Sequence, residues 1–248
     1  MPDSYESEEL AALYDTINAW GPSDDFYLDL VMSASSVLDV GCGTGLLLKA
    51  ARDAGHPGRL CGLDPADGML AQARARADIE WVRGDLGTTS WDHEFDLVVM
   101  TGHAFQVLLT DDEVRATFTA IRRALEPTGR FAFETRNPAL RPWERWTPEN
   151  ATEITDPNGA RVTVAHEVES VVDGVVRLSE TFSGPRWPEP QVSRGSLRFL
   201  DAGEVDGLLA DSGLSVHARF GDWDRGGFGD DSREIITIAR PGPLPASR

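Results

Sequence analysis

Lysine is nearly absent from this chain. Lys49 is the only one among 23 basic side chains, and it stands in a poor place for either a Schiff base or a phosphate-gripping role. Cysteine is equally scarce: Cys42 and Cys61 are the two in 248 residues, which makes no disulfide framework. No apolar run approaches the ~18 residues that span a bilayer. The acidic opening from Met1 to Glu9 lacks the apolar core of a secretory signal. A cytoplasmic protein with no membrane partner is therefore expected. Positive charge is short as well. With 41 acidic side chains the formal net charge is -18, which repels DNA, RNA and acidic lipid over most of the surface, so no nucleic acid is expected as a partner. Gly-x-Ser-x-Gly, His-Glu-x-x-His and Walker motifs are missing. His56, His93, His166 and His217 have no metal-ligand spacing, so no metal is expected.

What is present is an alternation of strands and helices. Leu10, Leu13, Ile17 and Trp20 recur at helical spacing over 8–20, and a short helix follows around 26–32. Strands are expected at 36–40, 60–63, 79–83, 95–100 and 130–135. Helices are expected at 46–53, 66–77 and 111–125, with acids opening the last, and Pro127-Thr128-Gly129 reads as a turn. This alternation implies parallel strands with helices on both faces. After Asn137 the pattern changes. Prolines break the helices, and alternating runs at 161–164, 167–172, 175–182 and 192–199 suggest an antiparallel insert, with Asp173-Gly174 as a hairpin turn. A helix at 202–211 and strands at 214–220 and 234–239 restore the first pattern. The organisation expected is an α/β domain over 1–137 and 201–240, an insert over 138–200 and a flexible tail over 241–248.

The chemistry concentrates at strand ends. Val37-Leu38-Asp39-Val40-Gly41-Cys42-Gly43-Thr44-Gly45 places three glycines between a buried strand and a helix, where glycine permits sharp turns and close approach to a ligand. A dinucleotide fingerprint needs a further glycine at position 46, but Leu46 stands there. An acid before Gly-x-Gly-x-Gly resembles the first motif of the class I S-adenosylmethionine (SAM)-dependent methyltransferases. Asp64 and Asp85 follow the next two strands, above the same crevice in a parallel sheet. Asp64-Pro65 with Met69-Leu70 also looks like a stretch of that family. The resemblance covers about residues 10–137.

The resemblance implies a seven-stranded, mostly parallel, doubly wound α/β sheet that binds SAM and releases its demethylated product SAH. Asp39 would pair with the ligand's cationic amino group, Asp64 would accept the ribose hydroxyls, and Asp85 would accept the adenine amine, with Leu86 beside it. Gly41, Cys42, Gly43, Gly45, Pro65, Met69, Thr101 and Gly102 would complete the cofactor site, and Tyr14 would act as a lid. Helix capping is the competing reading of each aspartate. His103 is the candidate general base near the methyl group, since an unperturbed imidazole titrates near working pH; packing against the cofactor is the other reading. Glu134 and Arg136 are candidate substrate residues, against a surface ion pair. Trp143, Trp146, Trp187 and Trp223 are candidate pocket residues, against core packing. Cys42 and Cys61 suit a core better than a nucleophile.

The expected function is methyl transfer to a small-molecule acceptor, at nitrogen or oxygen, by direct in-line displacement. The protein then supplies alignment and exclusion of water. The end of the fourth strand lacks the Asn/Asp-Pro-Pro-aromatic signature of nucleobase methyltransferases. The insert is architecturally similar to that of sugar N,N-dimethyltransferases and is where acceptor recognition is expected. Its exposed strand edges also make a homodimer surface a candidate. A SAM-binding regulator without turnover stays open, and a nicotinamide-dependent oxidoreductase is disfavoured by Leu46 and Asp39.

Overall fold

The computed structural model describes residues 7–242. A seven-stranded sheet is built from β1 (Ser36–Val40), β2 (Arg59–Asp64), β3 (Glu80–Arg83), β4 (Phe95–Met100), β5 (Leu125–Arg136), β10 (Leu214–Phe220) and β11 (Glu234–Pro241). Its order is β10-β11-β5-β4-β1-β2-β3. Among the described strands of this sheet only β11 runs against its neighbours, so the C-terminal ends of β1, β2, β4 and β5 share one edge. The strands alternate their burial between two helical layers, as a sheet covered on both faces must. Val98, Phe131 and Phe133 pack with α6 (Asp111–Ala124) and α7 (Ala202–Asp211), while Leu97, Val99, Ala132 and Ile236 pack with α3 (Pro22–Met32) and α4 (Leu46–Asp53).

α6 shows why these segments are helical. Thr110 and Glu113 form a reciprocal capping box, at 3.2 and 2.8 Å. Val114, Phe118, Ile121 and Ala124 then lie buried on one face. Phe118 stacks on Phe105 at 5.6 Å and meets Phe131 and Phe133 edgewise or tilted. Truncating this ring to alanine would leave a cavity and cost about 3–5 kcal/mol.

The insert forms a second, antiparallel sheet of order β6-β7-β8-β9: β6 (Thr152–Thr155), β7 (Arg161–Val172), β8 (Val175–Ser183) and β9 (Gln191–Arg198). The runs expected separately at 161–164 and 167–172 are one strand, with an irregularity between Val168 and Ser170. Asp173 and Gly174 have φ of 48° and 75°, both positive as a type I′ hairpin turn requires. The turn expected at 127–129 is a bulge inside β5, where pairing jumps from Phe95–Leu125 to Leu97–Arg130.

Further expectations need correction, and the helix expected over 66–77 ends at Ala73. The helix expected over 8–20 is two short ones, α1 (Glu8–Ala11) and α2 (Tyr14–Ile17). Tertiary contacts pull this segment in two directions. Ala11 packs on Ala66 and Met69 beside α5 (Asp67–Ala73), whereas Leu13 is buried against Val162, Val164 and Phe182 of the insert. The tail does not begin at 241: Pro241 pairs with Leu214, and the Gly242 N–H donates to Gly213 at 2.9 Å. The rest of the expected tail, 243–248, lies outside the described residues.

Candidate active site

The crossover from β1 to α4 turns sharply at the three glycines. Gly43 has φ of 55°, and the space a Cβ would fill there is open apart from Met69 Sδ at 4.0 Å. Gly45 has φ of 77°, and a Cβ on it would lie 2.3 Å from the Trp81 ring. Gly43 therefore leaves room toward the crevice, while Gly45 lets α4 pack against β3. The turn is pinned from below. Gly41 and Cys42 donate to the Leu63 carbonyl at 2.8 and 3.1 Å. The Gly43 N–H donates to Asp64 Oδ2 at 2.8 Å, and Ala66 donates to Asp64 Oδ1 at 2.8 Å. From above, Thr44 donates its hydroxyl hydrogen to Asp15 of α2 at 2.6 Å, tying the N-terminal segment to the glycine turn.

One cavity of about 540 Å³ opens over this turn. Gly41, Gly43, Pro65, Met69, Asp85 and Leu86 line its lower wall. Tyr14, Thr101, Gly102 and His103 line it beside the end of β4, where the Tyr14 hydroxyl lies 3.4 Å from the place a Gly102 Cβ would occupy. Arg136 and Trp146 line the same cavity. These residues are brought together as the sequence led one to expect.

Asp39 and Asp64 lie just beneath the wall, each 1% exposed. Asp39 Oδ1 is buried without any hydrogen-bond partner among the described residues, although buried carboxylate oxygens are ordinarily satisfied. Burial, with Asp64 and Glu134 nearby, pushes the Asp39 carboxyl up to about 8. A site that buries several carboxylates beside an unmatched acceptor atom is suited to a cationic ligand. SAM, with its ammonium and sulfonium groups, fits this donor and charge set. Asp85 is exposed, and its Oδ1 takes the N–H groups of Gly87 and Thr88, both at 2.9 Å. No helix lies between β3 and β4, so Asp85 closes a turn and caps no helix; its Oδ2 takes no partner among the described residues, and Asp85 lines the cavity.

Several expected residues do something else. Cys42 packs inward against Leu70, Ala73 and Trp81. Burial pushes its thiol well above the ordinary range and the Cys61 thiol up to about 12, which suits core thiols. Trp143 packs edgewise on Phe199 at 4.6 Å, Trp187 joins the cluster around Leu13, and Trp223 packs on Phe26 and Tyr27. Of the four tryptophans considered, Trp146 alone lines the cavity; the others are drawn into aromatic and aliphatic packing. Glu134 is no surface ion pair. It is 1% exposed, accepts from the Tyr27 hydroxyl, and takes the His103 backbone N–H at 2.6 Å. Burial raises its pKa, opposed by His103 and by these hydrogen bonds. Arg136 donates to Gln106 Oε1 at 2.8 Å and stacks 5.4 Å over the Trp146 ring.

Sequence reading missed the roof. His166, Glu180 and Ser193 sit opposite one another on β7, β8 and β9 and line the cavity. His166 Nε2 lies 3.2 Å from Glu180 Oε1. The signal was available in the strand pattern. Glu180 interrupts the apolar alternation Val176, Leu178, Phe182, and His166 interrupts Val162, Val164, Val168.

A doubly wound sheet with one reversed strand, a glycine turn after β1 and carboxylates at successive strand ends define the class I methyltransferase architecture. The chain belongs to the SAM-dependent methyltransferase family. A family model described as a methyltransferase domain matches residues 37–129. The chain is 30% identical to the 2-phytyl-1,4-naphtoquinone methyltransferase of Thermosynechococcus vestitus, over 56% of this chain and 68% of that protein. It is 33% identical to the cypemycin N-terminal methyltransferase of Streptomyces sp, over 44% of each chain, so the match spans less than half of that relative's length. A SAM-bound amino pentose methyltransferase from Micromonospora echinaspora superposes with a TM-score of 0.69 at 24% identity, covering 92% of this chain and 96% of that one; this likeness is one of fold.

Proposed function

We propose that this protein transfers the methyl group of SAM to a small polar acceptor held between the strand ends and the inner face of the insert. The observation that carries this reading is the continuity of one cavity from Gly41 and Gly43 to Glu180 and Ser193. A donor site and an acceptor site must share such a space for direct displacement.

SAM supplies a methyl group on a sulfonium, a carbon already activated for displacement. The protein's work is binding, orientation and exclusion of water. Asp39 supplies the buried negative charge that a cationic ligand requires, and Asp64 holds the glycine turn in shape. The carboxylates of Asp64 and Asp85 are acceptors for ribose and adenine groups. Burial and Asp15 push the Tyr14 hydroxyl up to about 12, so Tyr14 stays neutral and acts as a hydrogen-bonding wall, not a base. His103 is the available proton acceptor. Glu180, held by His166, offers a carboxylate to a hydroxyl or amine of the acceptor, and Leu178 and Trp146 cover its hydrocarbon part. The names of these relatives point to a naphthoquinone, the N-terminus of cypemycin and an amino pentose, so kinship does not fix the acceptor atom.

Among the described residues no helix is long and apolar enough to cross a membrane, which is compatible with action in the cytoplasm. Val171, Val172 and Val192 are exposed on the insert, which keeps a homodimer through this sheet within the proposal. The test is SAH release from purified protein and SAM across a panel of amino sugars, phenols and peptide amines. Release with a member of the panel supports the reading. A SAM-bound protein that releases none would favour the regulator.

A further inference from the structure

His103 is held in an unusual way. Its φ is 62°, a left-handed conformation uncommon outside glycine that concentrates at functional sites. Two carboxylates from adjacent strands fix it there. Glu134 on β5 accepts its backbone N–H at 2.6 Å and is itself held by the Tyr27 hydroxyl. Glu234, the first residue of β11, places Oε2 3.0 Å from His103 Nε2. The two side chains are only 19% and 15% exposed. Glu234 sits in register with Arg136 of β5; Arg136 lines the cavity, and Glu234 reaches it through the His103 ring.

Resting on the methyl-transfer reading, we infer that Glu234 is a positioning residue that orients His103 as the proton acceptor of this site. A carboxylate accepts hydrogen bonds, so Nε2 carries the hydrogen and the lone pair of the neutral ring falls on Nδ1. Nδ1 has no hydrogen-bond partner among the described residues, and His103 lines the cavity. The proton then leaves an O–H or N–H of the acceptor for Nδ1. The electron pair stays on the acceptor atom and makes it the nucleophile. The proton passes from the imidazolium to water, and Glu234 balances the ring's transient charge. Glu134 on β5 interacts electrostatically with His103 and Glu234 on β11 meets its ring directly, while Arg136 on β5 and Tyr14 on α2 line the same cavity. A merely structural ion pair would not need a ring nitrogen left open to the cavity.

The test uses the full chain labelled with ¹⁵N in histidine, with His103→Gln to assign the ring. The wild-type ring should show the Nε2–H form. In Glu234→Gln that form should lose its dominance, and kcat should fall with the acceptor KM little changed, the split expected when a group that orients the proton acceptor is lost. SAM binding should be retained, and Glu234→Asp should restore part of both the ring form and kcat. An unchanged ring form in a folded, SAM-binding Glu234→Gln protein would overturn the inference. So would full turnover by His103→Gln. If the wild type releases no SAH with any acceptor of the panel, the methyl-transfer reading fails, while the ring spectrum still decides the role of Glu234.

Discussion

The two walls of the cavity are built by different means. The donor wall is backbone: glycines at left-handed angles, N–H groups turned onto Asp64, and carboxylates placed by strand ends. The acceptor wall is side chain: His166, Glu180 and Ser193 across three antiparallel strands. A backbone wall tolerates little substitution, because each glycine or carboxylate answers to the fold and to the ligand together. A row of side chains on a sheet face can change without disturbing the ladder beneath it. On the proposed reading, the donor wall fixes one ligand and the acceptor wall sets which molecule receives the methyl group.

Breaking the donor wall should give the largest effect. Asp39→Asn should weaken SAM binding by about 10–100-fold, the worth of ~1.5–3 kcal/mol for a hydrogen bond to a charged group, as read by calorimetry. The same variant should melt at a higher temperature than the wild type without ligand. Its sign follows from linkage. The Asp39 carboxyl is raised from 3.8 to about 8, so its contribution to stability is full below the unfolded value and is lost as pH rises through the folded one. At pH 7 the free wild type should therefore hold a proton that cationic SAM expels, and buffers of different ionisation enthalpy would report that release; Asp39→Asn should lack it.

The acceptor wall should break separately. Glu180→Ala should raise the acceptor KM by about tenfold or more, again by loss of a charge-assisted hydrogen bond, with SAM affinity unchanged. A joint loss would mean that the two walls are not independent. Trp146→Ala should have a smaller effect, about fivefold on acceptor kcat/KM, because the stack under Arg136 is worth ~1 kcal/mol. Smallest of all, Thr44→Val should weaken SAM binding a few-fold, since it removes one neutral-to-carboxylate hydrogen bond of ~1 kcal/mol that ties α2 to the glycine turn.

The same contrast explains what could be read in the sequence. The seven strands, the glycine turn and the acids after β1, β2 and β3 follow from local patterns that tolerate few alternatives, and α4, α7 and β4 fall where periodicity puts them. The break between α1 and α2 was not legible, because it follows from Leu13 and Ala11 being claimed by different neighbours far along the chain. Trp143 and Trp146 are three residues apart and both meet Phe199, and only the fold decides that Trp146 also lines the cavity. Glu134 and Glu234 lie 100 positions apart in the chain, and their meeting at His103 depends on β11 pairing against β5.

The most direct measurement is a calorimetric titration of the purified protein with SAM, SAH and NAD at pH 7. Binding of SAM and SAH, with proton release on SAM binding and no heat from NAD, is expected from a cation-seeking pocket under the glycine turn. Binding of NAD, or a folded protein that binds neither SAM nor SAH, would contradict it.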